Sequence, residues 1–85
     1  MTAFLAYTQP VEVVTDDSVL PLSFLWARQR HHIEEIVAQW RVDGEWWREE
    51  SVSRDFFKLT TDTGLLLVLC YDRRTNKWYV YRWFN

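Results

Sequence analysis

Eighty-five residues holding six Trp, five Phe and four Tyr make one small domain, residues 1–85, with a core that must be dense and aromatic. Ten basic against twelve acidic side chains leave a net charge of -2, which argues against a general DNA-coating protein. A single cysteine, Cys70, excludes an intrachain disulfide and no metal-ligand spacing exists, so neither metal nor other cofactor is expected.

The first residues, "MTAFLAYTQP", lack the basic start and long apolar centre of a signal peptide, and residues 1–9 are expected to be loosely ordered. "VEVVT" (Val11 to Thr15) alternates weakly and ends at the turn-forming "DDS". "LSFLWAR" sets Leu22, Phe24 and Trp26 against Ser23, Leu25 and Ala27. "HHIEEIVAQW" is ambiguous. Ile33, Ile36, Val37 and Trp40 fall at helical spacing, whereas a strand would need a bulge between Ile36 and Val37. In "WRVDGEWWREE", Asp43-Gly44 reads as a two-residue hairpin turn, with Trp40 to Val42 leading in and Trp46-Trp47 leading out.

Beyond it, "FFKLT", "LLLVLCY" and "WYVYRWF" are three β-rich runs separated by the turn-like "DTG" and "DRRTNK". The unbroken apolar run Leu65 to Tyr71 reads as a central strand covered on both faces, with Cys70 a small buried thiol. In the last strand, alternation puts Trp78, Val80 and Phe84 on one face and Tyr79, Tyr81 and Trp83 on the other. The expected architecture is all-β: an antiparallel meander of five or six strands curled into a small barrel or half-barrel.

Trp46 and Trp47 cannot both be core, because neighbours on a strand point to opposite faces. One of them is the foremost candidate for an exposed anchor, framed by Arg41, Arg48 and Arg54; the bland alternative is a ring lying over an arginine stem. His31-His32 face apart on an extended chain and read as surface residues rather than ligands. No nucleophile elbow surrounds Ser51, Ser53 or Cys70, and two isolated glycines build no phosphate loop, so no catalysis is expected. Charge is uneven: residues 1–40 carry -3, residues 41–69 carry -2 and residues 70–85 carry +3. The basic end joins Arg73, Arg74, Lys77 and Arg82 to Trp78, Tyr79, Tyr81 and Trp83, a pattern suited to single-stranded nucleic acid, with Arg73, Arg74 and Lys77 serving Tyr79, Tyr81 and Trp83, or to a strand that merely closes the sheet.

The pattern W-R-V-D-x-x-W-W, then R-D-x-F, T-D-x-G-x-x-x-x-L and D-x-R-T-x-x-W-Y resembles a bacterial family of small stand-alone proteins of unknown function. It is also similar, more loosely, to the C-terminal segment of ImuB-type proteins, Y-family polymerase homologues that act as adaptors in translesion synthesis. The resemblance implies that "HHIEEIVAQW" is the second strand of a hairpin after the arginine-rich "RQR", although Gln29 stands where a glycine would ease the turn. It further implies a partner-binding role near DNA repair. The expectation is therefore a cytoplasmic, non-catalytic protein-interaction module with a protein partner and no membrane association. Single-stranded nucleic-acid binding and self-association as a homodimer are the alternatives.

Overall fold

A computed structural model describes residues 10–44 and 53–84. The loose order expected of residues 1–9, and the residues Trp46, Trp47 and Arg48, lie outside this range. Six strands follow one another: β1 (Glu12–Thr15), β2 (Pro21–Trp26), β3 (Gln29–Asp43), β4 (Ser53–Thr61), β5 (Leu66–Asp72) and β6 (Lys77–Trp83). Each pairs antiparallel with its sequence neighbour, so the sheet order is the chain order. This is the expected meander, curled into a half-barrel. Its two ends meet where the Val11 N–H donates to the Trp78 carbonyl at 2.8 Å.

The sheet curls because β3 bends. Fifteen straight residues would span about 45–50 Å, more than the 40 Å of the molecule's longest axis. β3 pairs with β2 through Gln29–His32, then turns away and pairs with β4 through Ile33–Asp43. Two register shifts, at Glu34 and at Val37, make the bend. The first explains the helix-like spacing: with Glu34 unpaired, Ile33 opposite Thr61 and Ile36 opposite Leu59 face the same core. The second falls where a strand reading required it, between Ile36 and Val37, but it turns Val37 outward at 51 % exposure rather than inward.

Two further bulges correct the simple alternation. Leu22 is the extra residue opposite Val14 and Thr15, so it lies exposed while Phe24 is fully buried. Tyr81 is the extra residue in β6, so every side chain beyond it changes face. Trp83 therefore packs inside, its ring 5.3 Å from that of Trp26, and Phe84 lies outside. The inner core is Phe24, Phe57, Leu59, Leu67, Leu69, Trp78 and Val80. On β5 the residues Leu67 to Cys70 are buried without a break, as the apolar run requires, because a second cluster of Phe56, Val68 and Cys70 lies on the outer face.

The Asp43-Gly44 pair is not a two-residue hairpin turn. Asp43 pairs with Ser53, so residues 44–52 connect the two strands, and the expected place of Trp46-Trp47 lies outside the described residues. Turn chemistry elsewhere is clear. Asp16 to Leu20 and Thr61 to Leu65 form the same three-residue loop, closed by matching backbone bonds (Asp16 N–H to Leu20 O, Val19 N–H to Asp16 O; Thr61 N–H to Leu65 O, Gly64 N–H to Thr61 O). The left-handed position is Gly64 in one and Val19, at φ 64°, in the other. The β2–β3 turn is a tight one at Ala27-Arg28, both at positive φ, so the strain falls there rather than at Gln29, which already pairs with Trp26.

His31 is not a surface residue. It is 4 % exposed and stacks on Phe24, ring centroids 5.2 Å apart. Its Nε2 donates to the Trp26 carbonyl at 3.0 Å, since a carbonyl only accepts. In the neutral ring Nδ1 then accepts from the Thr63 hydroxyl at 2.6 Å. His32, on the opposite face as expected, is exposed. Its backbone N–H donates to Asp62 Oδ1 at 3.0 Å, and chiefly for that reason the Asp62 carboxyl titrates below its ordinary value of 3.8.

Replacing Ala27 by Asn together with Arg28→Gly removes two left-handed penalties and is expected to stabilise the fold by about 1 kcal/mol, a rise in Tm of roughly 4–8 °C. Asp62 is ionised more readily folded than unfolded, so its contribution is full above pH 3.8 and is lost as pH falls through its lower folded value. An acid titration followed by circular dichroism should show a shallower loss of stability in Asp62→Asn than in the wild type across that window.

Candidate functional site

Alternation along β3 and β4 divides the candidate residues between two faces. Trp40 sits opposite Phe56 and Val42 opposite Arg54, all on the outer face; Gln39 sits opposite Phe57 and Arg41 opposite Asp55, on the inner face. Arg41 and Arg54 therefore do not frame one ring. Arg54 Nε lies 3.6 Å from Asp72 on the outer face. On the inner face Arg41 Nε donates to Asp55 Oδ1 at 2.8 Å, and Arg73 Nη1 reaches Asp55 Oδ2 at 3.3 Å. The Arg41 hydrogen bond, with the carboxylate charge, raises the Arg41 guanidinium pKa above its ordinary value.

The outer face carries an aromatic surface on which simple alternation groups Tyr79 and Tyr81 but not Phe84. Trp40 stacks almost parallel on Phe56, 5.5 Å between centroids and 6° between planes. Tyr81 meets the same Phe56 edge-on at 5.0 Å. Phe84 stands between two cations, Lys58 Nζ 5.1 Å and the Arg82 guanidinium carbon 5.4 Å from its ring centre. Trp40, Tyr81 and Phe84 remain 41, 37 and 44 % exposed, whereas Phe56 beneath them is 6 % exposed. Tyr79 is half-buried against Phe56, Val68 and Cys70.

The cationic C-terminal group is thus dispersed. Tyr79 and Tyr81 share the outer face, and Lys77 is exposed at the start of β6 opposite Asp72. Arg74 lies in the β5–β6 turn, its backbone N–H donating to Asp72 Oδ1 at 2.9 Å. Arg73 belongs with Arg41 around Asp55, and Trp83 belongs to the core. Sequence reasoning passes over Trp40, Lys58 and Phe84 as site residues, and names Arg82 only as part of the basic C-terminal end. Trp40 is hidden by its helix-like spacing, and Phe84 by the bulge at Tyr81.

A second feature of β3 is its open side. From Val37 to Asp43 every residue is exposed, and among the described residues this stretch pairs with β4 alone. An unpaired strand edge offers a row of backbone donors and acceptors to another chain. Beside it lies an open depression of about 450 Å³ bordered by Gln39, Trp40, Arg41 and Asp55.

The exposed rings and the ring beneath them should separate by mutation. Phe56→Ala is expected to cost about 3–5 kcal/mol in urea unfolding, as for a buried Phe. Trp40→Ala should cost well under half as much, because much of its ring is already in water.

No curated protein and no solved structure matches the chain. The model of the family described as a domain of unknown function (DUF6504) matches residues 4–85, and the protein belongs to that family.

Proposed function

We propose that the protein is a non-catalytic interaction module that takes up an extended segment of a protein partner along the open edge of β3, with Trp40 as the aromatic anchor. The observation that carries this reading is the exposed, one-sided stretch Val37 to Asp43. Strand addition draws affinity from main-chain hydrogen bonds and specificity from side-chain contacts on alternate positions. Trp40 supplies such a contact, and Phe56 holds its ring flat and fixed, which lowers the entropy lost on binding. Lys58 and Arg82 on the same face favour a segment with acidic side chains. Trp46, Trp47 and Arg48 follow this edge in sequence and lie outside the described residues.

A non-catalytic role accords with the one buried histidine. Both ring nitrogens of His31 are engaged, with Trp26 and Thr63, so it has no free basic nitrogen for a substrate. On the strength of the similarity to ImuB-type C-terminal segments, we assign the module to a cytoplasmic DNA-repair or translesion-synthesis assembly.

The test is a pull-down from the native host with tagged wild type, Trp40→Ala, Trp47→Ala and Val42→Lys, read by mass spectrometry. Lysine on an exposed strand edge opposes pairing while leaving the core intact. Replication or repair proteins recovered with the wild type and reduced at least ten-fold with Trp40→Ala and Val42→Lys, at unchanged circular dichroism, are the expected result. Two other outcomes would replace the reading. Retention of oligo-dT that falls steeply with salt and depends on Lys58, Tyr81 and Arg82 would make the outer face a single-strand platform. A dimer in light scattering that Val42→Lys dissociates would make the edge a self-association surface.

A further inference from the structure

The inner face holds a groove of about 360 Å³ between the β1–β2 loop and the curled sheet. It lies across the sheet from Trp40 and Phe56, on the other face of β3. Ser18, Val19 and Leu20 form its loop wall, Phe57 and Tyr71 are apolar lining, and Gln39, Arg41, Asp55, Arg73 and Asn76 bring polar groups to it. Its size is at the lower end of small-ligand pockets.

Two guanidinium groups converge there on one carboxylate, leaving one unit of positive charge. Among the described residues Arg41 and Arg73 use Nε and Nη1, respectively, on Asp55, and their other guanidinium donors meet no side-chain acceptor there. Asn76 accepts the Tyr71 hydroxyl proton through Oδ1 at 2.8 Å, which fixes its amide and leaves the two amide N–H donors for another acceptor. The groove is therefore rich in donors and has one acceptor carboxylate already committed. Asp55 holds the two arginines together as a positioning residue.

The loop wall carries a second signal. Val19 adopts φ 64°, a conformation that disfavours a β-branched residue, in a loop whose twin uses Gly64 at the same position. Its side chain is half exposed and lines the groove. A strained residue of this kind at a cleft is a pointer to function. Here it supplies apolar surface that glycine would not.

We propose that this groove binds a carboxylate carried on an apolar or aromatic group, held by Arg41, Arg73 and Asn76 with its apolar part against Val19, Leu20 and Tyr71. A planar carboxylate matches the guanidinium fork. The neighbouring Asp55 charge selects a monoanion over a phosphate ester, which carries about -1.5 to -2 at neutral pH.

The experiment is a titration of N-acetylphenylalanine into the isotope-labelled full-length protein, followed by backbone amide shifts, with N-acetylphenylalanine amide and inorganic phosphate in parallel. Saturable shifts confined to Ser18–Leu20, Gln39–Arg41, Asp55–Phe57 and Tyr71–Asn76, absent with the amide and with phosphate, are expected. Arg41→Gln and Arg73→Gln should each weaken binding at least ten-fold, the usual consequence of losing a charged hydrogen bond. Val19→Gly, which relieves the backbone and so retains the fold, should weaken it about three-fold or more. Equal shifts with the neutral amide, tighter binding of phosphate, or undiminished binding by both arginine variants would each overturn the proposal.

Discussion

One sheet must enclose one core, and the other features of the protein follow from that constraint. Six strands in chain order can surround Phe24, Leu59, Leu69 and Val80 only by curling until Val11, just before β1, meets Trp78 of β6. A straight pleat does not curl enough, so the ladder is interrupted at Leu22, Glu34, Val37 and Tyr81. All four extra residues are solvent-exposed. Each interruption lets residues three apart face inward, as with Ile33 and Ile36 or Val80 and Trp83, which regular alternation would forbid.

Curling also determines what lies outside. β5 is apolar on both faces, and among the described residues its outer residues Val68 and Cys70 have no second layer to cover them. The sheet covers them with its own rings: Phe56 from β4 and Tyr79 from β6, with Trp40 and Tyr81 resting on Phe56. Such covering rings are half in water by construction. Their exposure follows from the architecture, and the proposed partner site draws on it.

The strands and hairpin turns of the C-terminal half are legible in the sequence, because an unbroken apolar run flanked by "DTG" and "DRRTNK" admits few other arrangements. Legibility is poorest where bulges act. Glu34 makes β3 look like a helix, and Tyr81 exchanges the places of Trp83 and Phe84, since one inserted residue reverses every side chain that follows. Asp43-Gly44 misleads for a different reason: a dipeptide suited to a tight turn says nothing about the register of the strands around it, and that register is Asp43 with Ser53. His31 reads as a surface residue because its burial depends on partners far along the chain, at Thr63, and on a carbonyl at the end of β2. Of the candidate site, Arg41, Arg73 and Tyr81 can be named from sequence, but their grouping cannot, because faces depend on register.

β3 links the two proposed surfaces. Beyond Val37 it has no neighbour on one side among the described residues, so successive side chains serve different faces with little mutual interference: Trp40 outward onto Phe56, Arg41 inward onto Asp55. The β4 ladder holds both at fixed spacing. A partner strand laid along the edge would touch backbone that carries both residues, which gives a physical route from occupancy of the edge to the position of Arg41 in the groove. The Asp55 carboxylate opposes that movement, since it engages Arg41 and Arg73 at once and is itself mostly shielded, at 15 % side-chain exposure. Coupling between the surfaces would therefore be governed by how firmly one carboxylate holds two arginines, with Asp55 as the residue that keeps the faces distinct.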